Sequence, residues 1–252
     1  MELAGISLSS SKKTLVVSRW GKRLAHHGLT NYGEYLKLIA DSQSGEELQI
    51  SLDLLTTNET YFFREQKHFD FLRNHVLPAV RSGHPFRIWS AACSSGEEPY
   101  SIAMQLAAEL KHPNWEVLGT DISSRVLKRA RTGLYEMSRI QGIPPDYLRR
   151  FCLKGTGPYA DHLLIGRPLR ERIRFERVNL NETLPKLGQF DVIFLRNVMI
   201  YFDTDTKAKV VSRLLPCLKP GGFFLIGHCD TLHGIAHNLE PLGIAIYRKA
   251  AS

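Results

Sequence analysis

Short apolar segments alternate with amphipathic, helix-like segments from about residue 87 to the end of the 252-residue chain, and this alternation constrains the fold more than any other feature. Runs such as RIWSAAC and FDVIFLRNV are almost wholly apolar, which is typical of strands buried on both faces of a sheet. The predicted strands are 87–93, 115–122, 173–180, 190–198, 218–229 and 243–250. Strands that alternate with helices indicate an α/β fold with a doubly wound, mainly parallel sheet, in which ligands bind at the edge where the strands end.

Two parts of the chain depart from this alternation. The first 55 residues have the periodicity of three short helices, with Gly28 as a stop signal after the first and Asn31 as a cap of the second. We therefore expect a small N-terminal helical domain, 1–55, and a larger domain, 56–252. Within the larger domain, residues 147–172 hold two short apolar segments around the turn sequence GTGP, which predicts an inserted β-hairpin subdomain.

Charge and composition exclude several classes of protein. The chain has 33 basic and 25 acidic residues, and the basic excess lies in the segments 1–40 and 128–177. Such segments are either ordinary solvated faces or docking sites for a polyanionic partner. No apolar run approaches the roughly 20 residues that cross a bilayer, and the N-terminus lacks the apolar core of a secretory signal. The four cysteines are scattered without a CxxC pair, so we expect reduced thiols, no metal site and a cytoplasmic location.

The turn after the first predicted strand carries small residues followed by two acids, Glu97 and Glu98. It matches neither GxGxxG nor GxxxxGK[ST], and two carboxylates would repel a phosphate, so it suits a cofactor without phosphate or with a cationic amino acid end. A plain tight turn is an equally good interpretation of this loop alone. Asp121 ends the next strand, where an acid can accept hydrogen bonds from ribose hydroxyls or cap the following helix. Together, loop and acid favour a ribose-bearing cofactor.

Polar side chains also follow the fourth predicted strand and precede the first. A buried strand that runs into Arg196 and Asn197 is costly unless the charge has a partner, so we assign both residues to the ligand site. Tyr201 follows at the same edge. The segment NETYFFR, which ends at Arg64, precedes the first strand. Its amide and hydroxyl groups could merely cap a helix, whereas the guanidinium is the hardest group to explain as structural.

Taken together, these segments resemble the CheR family, the S-adenosylmethionine-dependent methyltransferases of bacterial chemoreceptors. The order of NxTxFFR, SSGEEPYS and RNVMIYFD is very specific, and the resemblance extends from about residue 10 to the end. It implies a helical N-terminal domain, a class I methyltransferase domain with an inserted β-subdomain, and methyl transfer from S-adenosylmethionine to glutamate side chains of methyl-accepting chemotaxis receptors. The segments that carry it are LLTTNETYFFRE (54–65), RIWSAACSSGEEPYSIA (87–103), GTDISSRVLKRARTGLY (119–135), LKGTGP (153–158), VNL (178–180), FDVIFLRNVMIYFD (190–203) and LKPGGFFLIGH (218–228).

The resemblance implies a role for each motif residue by matching position. A glutamate carboxylate, with a pKa of about 4.3, is already ionised at neutral pH, so catalysis would need positioning and desolvation rather than a general base. Arg64 and Tyr201 would be the catalytic residues that border the incoming carboxylate. The implied cofactor contacts are Asn58, Thr60 and Arg64 at the methionine end, Glu98 at the cationic amino acid portion, Asp121 at the ribose, Asn179 and Leu180 at the adenine, and Arg196 and Asn197 in the rest of the cradle.

The resemblance also implies a partner, the acidic cytoplasmic domain of a methyl-accepting chemoreceptor, which would dock on the basic N-terminal helix. Some family members bind a receptor pentapeptide through a GxGxxxG turn, but here Asp161 replaces the third glycine, so we expect a pentapeptide-independent member. We also expect a monomer that binds no nucleic acid and does not insert into membranes. Methylation of another protein or a small molecule, and a non-enzymatic cofactor-sensing module, are the open alternatives. The predicted docking residues are Lys12, Lys13, Arg19, Lys22 and Arg23.

Overall fold

A computed structural model describes residues 13–41, 45–56, 58–232, 234–235 and 238–251. The strands within these residues are β1 (Phe86–Ala91), β2 (Trp115–Asp121), β3 (Leu134–Glu136), β4 (Cys152–Lys154), β5 (His162–Ile165), β6 (Ile173–Arg177), β7 (Phe190–Leu195), β8 (Leu218–Ile226), β9 (Leu239–Gly243) and β10 (Ile246–Lys249). The larger sheet has the strand order β6–β2–β1–β7–β8–β10–β9. Its first five strands are parallel, and β10 runs antiparallel to both neighbours. The predicted doubly wound, mainly parallel sheet is confirmed.

Helices cover both faces of this sheet. Neighbouring residues of a strand point to opposite faces, so each strand contributes apolar side chains to two separate cores. Ile88 of β1 belongs to one buried core, and the adjacent Trp89 belongs to the other. The first core includes residues of the helices after β1 and β2, and the second includes residues of the helix before β8. The α-helices are α1 (Lys13–His26), α2 (Tyr32–Asp41), α3 (Glu46–Leu55), α4 (Gln66–Phe71), α5 (Glu97–Glu109), α6 (Ser124–Thr132), α7 (Pro145–Phe151), α8 (Arg167–Arg170) and α9 (Thr204–Leu214).

The three N-terminal helices pack around a core of their own. Trp20 and Leu24 of α1 meet Tyr35 and Ile39 of α2, and Leu55 of α3 completes the cluster. This apolar periodicity is what the sequence shows at a spacing of three to four residues. Asn31 caps α2 as predicted, since its Oδ1 accepts a hydrogen bond of 2.9 Å from the backbone N–H of Glu34.

The inserted region forms a second, three-stranded antiparallel sheet in the order β3–β5–β4. Strands β4 and β5 are the hairpin expected around GTGP. The third strand, β3, lies outside the predicted insertion and was not predicted, because three residues are too short to show a period. Gly142 allows the segment after β3 to approach the NETYFFR segment closely, since a Cβ at this position would lie 2.0 Å from the carbonyl oxygen of Phe62. The small sheet is therefore packed close to the predicted ligand edge.

The parallel strands place their carboxyl ends at a common edge of the sheet. The loops that follow β1, β2, β6 and β7 meet there, and the segment between α3 and α4 covers them from one side. This arrangement brings residues that are more than a hundred positions apart in sequence into one cavity. Among the described residues, no helix is both long and apolar enough to cross a membrane.

Candidate active site

A cavity lies at this edge of the sheet, with a volume of about 1070 Å³ when the open space at its entrance is included. All the residues that the sequence predicts to bind cofactor or to catalyse line it together: Asn58, Thr60, Arg64, Glu98, Asp121, Asn179, Leu180, Arg196, Asn197 and Tyr201.

The loop after β1 has an unusual backbone that serves this cavity. Ala92 and Ser94 have φ values of 64° and 51°, a left-handed conformation that costs energy for residues with a Cβ and clusters at ligand sites. Gly96, with a φ of 96°, has no such strain, and a Cβ there would lie 2.8 Å from the Cβ of Ala130. Cys93 is fully buried in the loop, and burial raises the pKa of its thiol well above the usual range, so this cysteine stays protonated and unreactive.

The two acids at the end of this loop have different surroundings. Glu98 lines the cavity, and its Oε1 accepts a hydrogen bond of 2.6 Å from Ser90 Oγ. Glu97 is buried away from the cavity, where it pairs with Arg139 and accepts a hydrogen bond of 2.7 Å from Ser95 Oγ. Glu97 is thus a structural acid that ties the small-sheet region to the loop, and of the two acids only Glu98 lines the cavity.

Asp121, at the end of β2, is held by two backbone N–H groups. Its Oδ2 accepts from Ser94 N, and its Oδ1 accepts from Ser123 N, both at 2.9 Å. Burial raises the pKa of Asp121 to about 6, and the backbone hydrogen bonds oppose that rise. The alternative role as helix cap belongs to Ser123, whose side chain accepts from the backbone N–H of Val126. Asp121 is therefore free of the capping role and keeps acceptor capacity towards the cavity.

Arg196 is the charged centre of the site, with only 2% of its side chain exposed. Its Nη1 lies 2.9 Å from Glu98 Oε2, and its Nη2 lies 3.1 Å from Glu65 Oε2. It also donates a hydrogen bond to the backbone carbonyl of Arg64. Burial raises the pKa of Glu98, against the opposing effect of Arg196. Two carboxylates share one guanidinium, so the cluster has a net charge of −1 when both are ionised and suits a cationic ligand.

Glu65 does not line the cavity but holds Arg196 from behind, a partner that sequence reasoning missed. Its Oε1 accepts a hydrogen bond of 3.1 Å from Asn197 Nδ2, in addition to the contact with Arg196. Burial alone would raise the pKa of Glu65, but Arg196 and Asn197 outweigh it, so the pKa lies below the ordinary value. The backbone φ of Glu65 is 58°, a left-handed conformation that is uncommon for a residue with a Cβ and clusters at functional sites. Two features of the sequence could have indicated it: Arg196 needs an acidic partner when buried, and an acid follows NETYFFR directly.

His68 and His228 lie beside Glu65, and the three side chains place ligand atoms within 4.8 Å of one another. Such a set could hold a metal ion, but the guanidinium of Arg196 already contacts Glu65 Oε2, the oxygen that lies 3.5 Å from His68 Nδ1 and 4.0 Å from His228 Nε2. A divalent cation at this point would repel that guanidinium. His68 is fully buried, and burial lowers its pKa to about 3, so it is neutral. The arrangement favours an internal ion pair over a metal ion.

Arg64 and Tyr201 both line the cavity, and both are partly exposed. Arg64 Nη1 donates a hydrogen bond of 3.1 Å to the carbonyl of Glu59, and its guanidinium lies 5.5 Å from the centre of the Tyr61 ring. These contacts restrict the guanidinium while leaving its other N–H groups available. Tyr201 is in a short 3-10 turn after β7.

The loop after β6 contributes the opposite wall. Asn179 uses its side chain within its own turn, because its Nδ2 donates to Glu182 Oε1 at 2.8 Å and its Oδ1 accepts from the backbone N–H of Asn181 at 3.0 Å. Leu180 and Val178 are both buried and present apolar surface to the cavity. This wall suits a flat apolar group such as a purine ring.

The predicted docking residues on α1 divide into two kinds. Lys13 and Lys22 are exposed. Arg19 and Arg23 are partly buried and bound within the protein: Arg19 donates to backbone carbonyls at the end of α3, and Arg23 pairs with Glu47. Sequence periodicity places all of these cations on one helix but cannot show which of them have internal partners. Lys12 lies outside the described residues.

Comparison with known proteins decides the family. The profile of the CheR methyltransferase SAM binding domain matches residues 58–247, and that of the CheR methyltransferase all-alpha domain matches residues 1–56. The chain belongs to the CheR methyltransferase family. The resemblance inferred from the sequence is therefore confirmed, and this CheR methyltransferase uses S-adenosylmethionine as its methyl donor.

Two relatives of this CheR methyltransferase are each named chemotaxis protein methyltransferase. That of Escherichia coli is 40% identical over 249 residues, which cover 97% of this chain and 85% of that protein. That of Salmonella typhimurium is 39% identical over 247 residues, which also cover 97% of this chain and 85% of that protein. The matched region thus includes the helical N-terminal part as well as the cavity.

Proposed function

We propose that this enzyme acts in chemotaxis and methylates glutamate side chains on the cytoplasmic domain of methyl-accepting chemoreceptors. The observation that carries the proposal is that the partly exposed Arg64 and Tyr201 line the same cavity as Arg196, whose guanidinium is shared by two carboxylates. A partly exposed guanidinium suits an anionic substrate, and a buried net negative charge suits a cationic methyl donor. The names of the relatives support the chemotaxis setting.

The residues of the cavity fit S-adenosylmethionine. When bound, this cofactor supplies a methyl group on a positively charged sulfur. Asp121, a buried acceptor, would hold the ribose hydroxyls, and Leu180 with Asn179 would flank the adenine. The remaining contacts would lie at the amino acid end, where the ion pairs of Arg196 set the net charge: Asn58, Thr60, Arg64, Glu98, Arg196 and Asn197.

The substrate carboxylate needs orientation more than activation. Its pKa of about 4.3 leaves it ionised at neutral pH, so no side chain has to remove a proton. Arg64 would align the carboxylate, and its contacts with Glu59 and Tyr61 would keep it from closing fully on the nucleophile and quenching it. Tyr201 would donate a hydrogen bond to the same group. Positioning of this kind accounts for large rate effects without acid–base chemistry.

The N-terminal helices and the hairpin would select the partner. We assign residues 1–55 to receptor docking and 56–252 to methyl transfer. Exposed Lys13 and Lys22 on α1 would attract an acidic receptor helix. In the hairpin, the exposed Asp161 would repel a peptide carboxylate, which supports a pentapeptide-independent enzyme. We further propose that the protein works as a monomer in the cytoplasm, without nucleic acid and without membrane insertion.

Transfer of radiolabelled methyl groups to a purified receptor cytoplasmic fragment tests this function. The wild-type enzyme should form base-labile methyl esters, and receptor glutamine variants at the methylated positions should lose them. Arg64→Ala should lower kcat by at least about 100-fold with cofactor affinity reduced far less, since the missing group mainly orients the substrate. Label in a base-stable product would contradict glutamate methylation. Near wild-type turnover by folded Arg64→Ala would contradict the role of Arg64.

A further inference from the structure

The C-terminal end of α3 forms part of the cavity wall, although α3 belongs to the N-terminal helical domain. Leu55 is its last residue, and Leu55, Thr56 and Asn58 all line the cavity. A helix end leaves its last carbonyl groups without partners inside the helix, and the partners they find determine how firmly the following residues are held. The partners of the carbonyl groups at the end of α3 therefore determine how firmly this part of the cavity wall is held.

Arg19 of α1 binds three consecutive carbonyl groups at this helix end. Its Nη1 lies 3.1 Å from Leu54 O, 2.8 Å from Leu55 O and 3.0 Å from Thr56 O. A cation at a helix C-terminus is also favoured by the helix dipole. Arg19 itself does not line the cavity. Its guanidinium is committed to the backbone directly behind the cavity wall.

The other side of the same helix end is tied to the loop that carries Asp121. Arg125 of α6 donates a hydrogen bond of 2.7 Å to Asp53 O, the carbonyl next to those bound by Arg19. Asp53 Oδ2 accepts from Ser124 Oγ at 3.1 Å, and Gln49 Nε2 donates to Ile122 O at 3.0 Å. Two arginines from different domains thus hold α3 against the ribose side of the cavity.

We propose that Arg19 is a positioning residue for the methyl donor: it holds the wall formed by Leu55, Thr56 and Asn58 in the shape that binds S-adenosylmethionine. Loss of its guanidinium leaves the carbonyls of Leu54 and Leu55 without a charged partner and loosens that wall. This role differs from the receptor docking implied for Arg19 by its place on α1. The inference rests on the proposed placement of the cofactor in the cavity, but not on the identity of the methylated substrate.

Calorimetric titration of the full chain with S-adenosylhomocysteine, without any receptor, tests the inference. Arg19→Gln should raise the Kd by about tenfold, because hydrogen bonds to a charged group are lost at the wall. Arg19→Lys should recover most of the affinity, since an ammonium group can donate to three carbonyls at once. Lys37→Gln is the matched control: it removes the same charge from an exposed position on α2 and should leave the Kd within twofold of wild type.

A receptor-docking role predicts the opposite pattern. Wild-type cofactor affinity in Arg19→Gln, with a raised KM for receptor alone, would overturn the inference while leaving the proposed function intact. If the wild-type protein bound no S-adenosylhomocysteine, the cofactor placement and this inference would both fail. Should Arg19→Gln not fold, Arg125→Gln removes the guanidinium on the other side of α3. It should raise the Kd in the same direction, and an unchanged Kd would overturn the inference.

Discussion

The clusters around Arg23 and around Arg196 each combine a guanidinium with glutamate, and they differ in charge balance. In the N-terminal helices, Arg23 pairs with Glu47, which also accepts a hydrogen bond from Tyr35 Oη at 2.5 Å. At the cavity, Arg196 is shared between Glu65 and Glu98. In the first cluster one guanidinium faces one carboxylate, which also lies 3.1 Å from His27 Nε2, whereas the second cluster has an excess of one carboxylate.

The difference appears in the pKa values of the two glutamates. The hydrogen bond from Arg23 lowers the pKa of Glu47 to about 2, in spite of burial. Burial raises the pKa of Glu98, and the nearby charge of Glu65 adds to the rise, while Arg196 and the hydrogen bond from Ser90 oppose it. The lowered pKa of Glu47 means that its ionised form stabilises the folded state. The carboxylate in excess around Arg196 would gain from an additional positive charge nearby. We interpret the first as structural and the second as a site prepared for a cationic ligand.

Replacing each glutamate by glutamine is the most direct way to break this comparison, and it has the largest expected effect. Glu98→Gln should weaken S-adenosylmethionine binding by about 10- to 100-fold, because hydrogen bonds and attraction involving a charged group are worth about 1.5–3 kcal/mol. Its stability should be unchanged or slightly higher, since a buried, poorly neutralised carboxylate is removed. Glu47→Gln should do the reverse, with a lower free energy of unfolding and an unchanged Kd.

Urea unfolding and calorimetric titration on the two variants measure these effects. Both substitutions preserve side-chain size, so each serves as the control for the other. A loss of stability in Glu98→Gln as large as that in Glu47→Gln, with no change in Kd, would show that the two clusters are alike and that our interpretation is wrong.

The pH dependence of cofactor affinity tests the acidic side of the cavity further, and its expected effect on the Kd is intermediate in size. Asp121 has a pKa of about 6 in the free protein, and only the ionised carboxylate is a pure acceptor for ribose hydroxyls. Affinity for S-adenosylhomocysteine should therefore fall by about tenfold between pH 7 and pH 5. Asp121→Asn should bind weakly and without this pH dependence. A titration series that includes Glu98→Gln separates the contribution of Glu98, and a wild-type affinity independent of pH would contradict the role of Asp121.

The free energy of unfolding should depend on pH in opposite directions through Asp121 and through Glu47. The raised pKa of Asp121 means that the folded state holds a proton more tightly than the unfolded state, so this group's contribution to stability falls as pH rises from about 4 to 6. The lowered pKa of Glu47 means that its contribution is present above about pH 4.5 and is lost as pH falls towards 2. The stability difference between wild type and Glu47→Gln should therefore shrink over that acidic range.

The smallest expected effect concerns the exposed cations of α1, which lack the internal ion pair of Arg23. Lys22→Gln should raise the KM for receptor by about two- to fivefold at low salt and leave the cofactor Kd unchanged, because an exposed charge contributes mainly to encounter. Initial rates at low and high salt measure it, and the difference from wild type should vanish at high salt. An effect that persisted at high salt would contradict electrostatic docking through Lys22.

Much of the cavity could be predicted because its chemistry lies where strands end. Arg196 after an apolar strand and Asp121 at the end of another are local signals, and both residues line the cavity. Their partners were harder to predict. Glu65 lies 131 positions from Arg196 in sequence, and its neighbours Phe62 and Phe63 indicated only a core segment. The carbonyl groups that Arg19 binds could not be predicted either, because a helical period gives the face of a side chain but not the partners within its reach.

The sequence by itself determined the alternation of strands and helices in the larger domain, the polar residues at the strand ends and the family, since these depend on periodicity and on motifs read along the chain. Only the tertiary structure decided which charges share a partner, which arginine closes the end of α3 and that a third strand, β3, joins the small sheet. Those features depend on distances between residues that are remote in sequence. Because electrostatic and hydrogen-bond energies fall steeply with distance and depend on burial, the charge excess of the cavity exists only once the chain has folded.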